Sequence, residues 1–303
     1  MRDRRGMELL IVLWALLLLG LLGMSFAFAM RTEAQASRNG YDGARAYYQA
    51  RTGINRALAL IATAPPDNVL RVPITGGEED ASYEATIASE GGKIDINTVK
   101  EELLKGVLRQ GGLSPEAAEV VGDAILDWRD EDDMPRSNGA EFPYYGSLPE
   151  PLKPRNGKMT AVDELLSVKG VTPDLYGGFL SRIFTVHSNA TSVDINEAPV
   201  EVLRVLPGFT AEAADALVAL RRENPFRTPA DVTTFLTGQG LPLTAVPFLS
   251  TSSLGRVYTV TSVGKAGGKI ARGVSCRVEM GAGGPKSVKI LRWMDYVALG
   301  GGN

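Results

Sequence analysis

Residues 9–30 form an uncharged apolar run placed directly behind a basic head, Arg2-Asp3-Arg4-Arg5-Gly6. The run has 22 residues, and at about 1.5 Å per residue a helix of that length reaches roughly 33 Å, enough to cross a ~30 Å hydrocarbon core. Three arginines before it favour a cytoplasmic N-terminus, with the chain beyond Met30 on the far side. Whatever else folds must hang from one membrane-spanning helix.

Three N-terminal devices compete for this stretch. A secretory signal has a shorter apolar core and a small-residue cleavage site; Ala27-Phe28-Ala29 supplies the site, but the run before it is too long. An uncleaved anchor fits the length. A leader cut on the cytoplasmic side, between Gly6 and Met7, would leave the apolar helix at a new N-terminus. Residues 31–62 weigh for the third device, because they keep a helical period. Ala34, Tyr41, Ala44, Tyr47 or Tyr48, Ile54, Leu58 and Ile61 recur at three-, four- or seven-residue steps, and no proline intervenes before Pro65. Gly40, Gly43 and Gly53 each weaken that pattern by about 1 kcal/mol relative to Ala. The expectation is one helix of more than 50 residues, apolar in its first half and amphipathic in its second.

Composition argues for an exported assembly protein and against an enzyme. The single cysteine, Cys276, forbids an intramolecular disulfide and reads as a buried small residue in a strand. The single histidine, His187, has no nucleophile motif beside it. A net charge of -3 gives no general pull toward nucleic acid. No catalytic residues are assigned.

Beyond the stem, texture changes twice. Strand-like runs and glycine turns (VLRVPI, GGEED, SYEATIAS, IDIN) fill residues 65–97; helical, Leu/Ala/Glu/Pro-rich sequence fills 98–254; strands return in 255–303 as VYTVTSV, IARGVSCRVEM and SVKILRWMDYV, with turns at GKAGGK and GAGGP. The fold class expected is α+β: a long N-terminal helix packed on an antiparallel sheet, with a mostly helical domain inserted. Within that domain KIDINTVKEELL (93–104) aligns with SVDINEAPVEVL (192–203), and DELLSVKGVTPDLYGGFL (163–180) with EVLRVLPGFTAEAADALV (201–218). Each reads as helix, short glycine turn, helix, the pattern of helix–hairpin–helix units.

Such hairpins raise DNA binding, since membrane-anchored DNA receptors of competence systems resemble VDINEAPVEVLRVLPGF together with ALRRENPFRTPADV. DNA-binding hairpins use a Gly-apolar-Gly turn to bring backbone N–H groups to phosphate. Here the turns, Gly170-Val171-Thr172 and Gly208-Phe209-Thr210, lack the second glycine and are followed by Asp174, Glu212 and Asp215. Only Lys169, Arg221 and Arg222 stand ready for phosphate, too little charge for the counterion release that drives non-specific binding.

The most chemical stretch is DWRDEDDMPRSNGAEFPYY (127–145), which crowds Asp127, Asp130, Asp132, Asp133 and Glu141 onto a loop bearing Pro135 and Gly139. Read alone, it fits either an acidic solvated loop or a site for calcium, which takes six to eight oxygens from carboxylates and carbonyls. The spacing is not that of an EF-hand, and without Cys or His it does not suit zinc.

The leader and stem, MELLIVLWALLLLGLLGMSFAFAMRTEA through ARTGINRALALI, together with the acidic D-W-x-D-x-D-D-x-P-R-x-N-G-A-E signature and the C-terminal ILRWMDY, resemble the K-type minor pseudopilins of the bacterial type II secretion system. The resemblance implies a leader at 1–6, cleavage by a prepilin peptidase between Gly6 and Met7, N-methylation of Met7, a membrane half of the stem at 7–30 and an amphipathic half at 31–64. It implies Ca²⁺ on the loop through Asp127, Asp130, Asp132, Asp133 and Glu141. Most pilins carry Glu at the fifth mature position, where it neutralises a neighbour's N-terminus inside the bilayer; here that position is Ile11, with Glu8 at the second. A subunit lacking that Glu suits the filament tip, as does a head too bulky for a thin filament. The implied partners are the I- and J-type minor pseudopilins, the peptidase and other secretion components. The implied location is the inner membrane, single-pass, with the soluble domains in the periplasm, in a system that exports folded proteins. A type IV minor pilin and the competence-type DNA binder are the alternative readings.

Overall fold

The computed structural model describes residues 4–63, 73–252, 256–268, 270–281 and 288–297. Helix α1 runs unbroken over Arg4–Thr63, 60 residues. Side chains from 7 to 41 are all exposed, including Leu9, Ile11, Trp14 and Phe28, so nothing among the described residues covers the apolar half. The sequence-predicted continuous stem is what forms.

Its packing face agrees with the expected one at Tyr47, Ile54, Leu58 and Ile61, which pack in or against the sheet core, and differs elsewhere. Ala34, Tyr41, Ala44 and Tyr48 are exposed, and the buried positions are Gly43, Ala46, Ala50, Gly53, Ile54, Ala57 and Ile61. The sheet approaches too closely for larger side chains. A Cβ on Gly53 would collide with Ser262 Oγ, and one on Gly264 would collide with the Ala46 carbonyl. Gly43 and Gly53 are therefore contact points, and their helix-propensity cost is offset by close packing.

The sheet is built from β1 (Ile74–Glu78), β2 (Ala81–Ser89), β7 (Val257–Ala266), β8 (Ile270–Met280) and β9 (Val288–Val297). These five strands are antiparallel and lie side by side in the order β1-β2-β7-β8-β9. Ala50, Ile54, Ala57 and Ile61 of the stem meet Tyr258, Val260, Val274, Cys276 and Val278 in one core, where each large side chain contributes about 1.5–3 kcal/mol. Cys276 is 1% exposed and burial pushes its thiol up, as an inert core residue requires. The strand expected at 69–74 lies mostly outside the described residues. Gly76 and Gly77, expected in the turn, belong to β1 instead, because the reversal is made by Glu79 and Asp80 alone. The turn expected at 281–285 lies mostly outside the described residues.

Between β2 and β7 the chain leaves the sheet and builds the helical domain, whose core is separate from that of the stem. It contains two repeats. The first holds β3 (Ile94–Asp95), α2 (Glu101–Gln110), α3 (Pro115–Arg129), α4 (Phe142–Tyr145), a 3-10 helix (Val162–Ser167), the short α5 (Pro173–Leu175) and α6 (Ser181–Ile183), and β4 (Phe184–Thr185). The second holds β5 (Val193–Asp194), α7 (Val200–Arg204), α8 (Ala211–Glu223), α9 (Pro229–Gly238) and β6 (Leu249–Ser250). β3 pairs parallel with β4, and β5 with β6. Ile94 and Asp95, grouped from sequence with the first β region, thus belong to the helical domain.

The Asp-Ile-Asn motif closes each repeat in the same way. Asp95 Oδ1 accepts Asn97 N at 2.9 Å, and Asp194 Oδ1 accepts Asn196 N at 2.8 Å. Asn97 clamps the backbone of Met159 and Asn196 that of Phe226, each through one donated and one accepted bond. Arg129 and Arg221 donate to the carbonyls of Ile96 and Ile195. Four helix junctions turn on left-handed glycines: Gly112, Gly170, Gly208 and Gly240, with φ +96, +84, +83 and +67. By position in the repeats Gly112 matches Gly208 and Gly170 matches Gly240. The aligned segments 163–180 and 201–218 are therefore similar hairpins in non-equivalent places.

Candidate functional site

Helix α3 starts on Ser114, whose Oγ accepts Ala117 N, with Pro115 in its first turn. It ends at Arg129, and its last turn carries Asp127 into the interior, 0% exposed. The next loop folds back over this carboxylate. Asp127 Oδ2 accepts Ala140 N at 2.8 Å and Arg136 N at 3.1 Å, and Oδ1 accepts Arg136 Nη1 at 2.8 Å. Gly139 makes the wrap possible, since a Cβ there would collide with Asp127 Oδ2. Asp130 Oδ2 accepts the same guanidinium nitrogen at 2.6 Å.

The other predicted acids take distinct places. Asp132 Oδ1 accepts Met134 N at 2.8 Å, fixing the local turn. Asp133 Oδ1 accepts Asn156 Nδ2 at 2.7 Å, tying the loop to residue 156, which sits at φ 45. Glu141 is 1% exposed and neither carboxylate oxygen has a donor. Burial first, then the charges of Asp127, Asp130, Asp133 and Asp132, push its pKa up to about 7. Asp130 Oδ1 and Asn156 Oδ1 are likewise buried without a partner. Among the described residues no three Asp, Glu, His or Cys side chains converge on one point. What the loop holds is a set of donor-less buried oxygens, each costing about 1–3 kcal/mol or more, of the hard type that a calcium ion takes. The residues present thus fit such an ion in kind.

The supports of the loop carry no motif in the sequence. Asp123, 4% exposed, accepts Asn138 N and Nδ2, both at 3.1 Å, and pairs with Lys105 at 2.6 Å. Lys169 Nζ donates to the carbonyls of Asn138 and Gly139 at 3.1 and 2.9 Å and lies over the Tyr144 ring. Tyr145 packs edge-on to Trp128 and accepts Lys169 N through its hydroxyl. Arg136 is legible as one of two cations amid the acids, with Arg129. Lys169 is not, since the turn beside it suggests a phosphate contact instead.

The DNA-binding alternative loses its basic residues here. Lys169 is spent on the acidic loop and Arg221 on the Ile195 carbonyl. Arg222 alone stays exposed among the three.

Residues 86–184 match the family model for protein K of the type II secretion system. A type II secretion system protein K of Pectobacterium carotovorum subsp. carotovorum is 32% identical over 168 residues, covering 50% of this chain and 51% of that protein. The chain thus spans about half the length of that relative. One of Aeromonas hydrophila is 24% identical over 234 residues, 68% of this chain and 70% of that protein. The fold matches a chain in the crystal structure of the GspK-GspI-GspJ complex of the enterotoxigenic Escherichia coli type 2 secretion system. That match has a TM-score of 0.58 at 17% identity and covers 89% of this chain and 99% of the other. The chain thus combines a stem long and apolar enough to cross a membrane with a helical domain that is similar, over residues 86–184, to protein K of the type II secretion system.

Proposed function

We propose that this chain is a minor pseudopilin of the type II secretion system, which sits at the tip of the secretion pseudopilus, starts its assembly and helps move folded proteins across the outer membrane. The observation that carries the reading is the bare stem. From 7 to 41 every side chain is exposed, an apolar surface that needs lipid before assembly and other stems after it. Ile11 stands in that surface where a filament-docking Glu would be expected, which supports a first rather than an inserted subunit. Cleavage between Gly6 and Met7 and methylation of Met7 would precede assembly. The helical domain, hung between β2 and β7, would then lie outside the bilayer, in the periplasm.

The structurally similar chain comes from a complex with GspI and GspJ, and I- and J-type minor pseudopilins are the partners proposed here. Cysteines introduced at Trp14 and Tyr41, on the exposed stem, should cross-link to those two subunits in membranes, and the same change at Lys289 on β9 should not. Absence of stem cross-links with both subunits expressed would overturn the reading. Mass spectrometry of the chain from its native host should find Met7 as a methylated N-terminus.

The acidic loop is proposed to hold Ca²⁺ through the donor-less oxygens of Glu141, Asp130 and the Asn156 amide, with Asp133 holding Asn156 in place. Asp127 and Asp132 would shape the loop, since their bonds to backbone N–H groups already fix its path. When bound, the ion would supply positive charge to oxygens that lack donors, ordering the outer end of the helical domain.

A further inference from the structure

Where the helical domain meets the sheet, a cavity of about 190 Å³ opens between Lys93, Thr160, Ser181 and His187 on one side and Arg277 and Arg292 on the other. The two arginines are direct cross-strand neighbours on β8 and β9. Like charges in that position repel. A bulge brings them there: Ile290 pairs with Val278 and Arg292 with Arg277, so Leu291 is the extra residue, and it lines the same cavity. Bulges are a common way to re-aim a side chain at a site.

The local acids are already committed. Glu90, 1% exposed, accepts Thr185 Oγ1 at 2.5 Å and Thr259 Oγ1 at 2.6 Å, pairs with Lys93 at 3.1 Å and stands 3.8 Å from Arg277. Asp163 takes the Tyr176 hydroxyl at 2.5 Å and only a 3.4 Å contact from Arg292. Arg277 Nη1 faces His187 Nε2 at 3.2 Å. Three permanent cations thus meet two carboxylates, in a chain whose net charge is -3. Burial, then Arg277, lowers the pKa of His187 and so keeps the ring neutral.

We propose that this cavity binds a small oxyanion, a phosphate or carboxylate, which bridges Arg277 and Arg292 of the sheet to Lys93 and the Ser181 hydroxyl on the helical domain, the Thr160 hydroxyl being taken by Glu164. Charge-assisted hydrogen bonds from a guanidinium pair are the usual means of holding such groups. The anion would relieve the arginine repulsion and clamp the helical domain to the sheet. It is independent of the calcium reading, which rests on other residues.

His187 is the only histidine, so its ring gives one unambiguous NMR signal in the full chain, labelled at histidine and held in detergent micelles without a histidine tag. Inorganic phosphate, and separately acetate, would be titrated at ionic strength held constant with sodium chloride. Saturable movement of the His187 signal with either anion supports the site. Arg292→Gln should weaken saturation about tenfold, and Ser181→Ala, the milder change, about fivefold. Lys289→Gln on the same strand should leave it unchanged. A signal that follows neither anion beyond chloride, or saturation unaltered in both cavity variants, would overturn the proposal.

Discussion

The two repeats of the helical domain share a frame and differ in one connection. In each, Asn clamps the chain after the second helix, and Arg caps the Asp-Ile-Asn carbonyl. In each, a cation on the first helix meets an acid on the second: Lys105 with Asp123 at 2.6 Å, and Arg204 with Asp215 at 2.8 Å. The second repeat passes from Arg221 to Phe226 almost directly. The first inserts residues 130–158 between Arg129 and Met159 and folds them over α3. The insertion buries what the second repeat leaves in water: Asp123 is 5% exposed in its side chain, against 58% for Asp215. A frame closed by side-chain clamps on its backbone can host a costly loop, and here the loop carries the candidate chemistry.

That contrast can be broken at several points. Asp127→Ala strands two backbone N–H groups and leaves Arg136 with Asp130 alone, and should cost about 3–5 kcal/mol by denaturant unfolding of the full chain in micelles. The equivalent position in the second repeat is Ala219, which is exposed, and Ala219→Ser there should stay within about 0.5 kcal/mol. Asn196→Ala leaves a buried clamp open and should cost about 3 kcal/mol, with Asn97→Ala, which is less buried, about 2; a neutral result at either would remove the shared frame. Asp123→Ala should cost about 2 kcal/mol, whereas Asp215→Ala, an exposed pair, should cost less than about 1.

The smallest effect is a pH slope. Glu141 keeps its proton to about pH 7 in the folded protein, against an ordinary value of 4.5. Between those values the native state binds the extra proton, so metal-free stability falls as pH rises from 4.5 to 7. His187, whose pKa is lowered from 6.5, acts in the opposite sense as pH drops below that value. Comparing Glu141→Gln with the parent chain in chelator isolates the Glu141 part; identical pH profiles would contradict it.

Much of this is legible in the sequence. Apolar length sets the span, and the absence of proline before Pro65 carries the helix beyond it. The strand alternation of VYTVTSV and the buried Cys276 come from periodicity alone. The small-residue part of the stem's face is not legible, because Gly43, Ala46, Ala50 and Gly53 carry little hydrophobic signal and are chosen by how near the sheet comes. At the acidic loop the residue types allow either a solvated loop or a cation site, and do not show that Arg136 already occupies Asp127 and part of Asp130. Lys169 misleads because its neighbour Gly170 looks like a phosphate-binding turn. Its true partner is the loop 30 residues earlier.

The claim that the insertion is a calcium site is tested most directly by melting the full chain in detergent with chelator and with Ca²⁺. At about a hundred times the dissociation constant, binding to the native state alone adds about 2.7 kcal/mol, which raises Tm by roughly 5–10 °C for a domain of this size. The rise should be largely lost in Glu141→Gln. A melting temperature that is the same in chelator and in roughly 10 mM Ca²⁺, a concentration above the weakest sites known for calcium modules, would contradict the account.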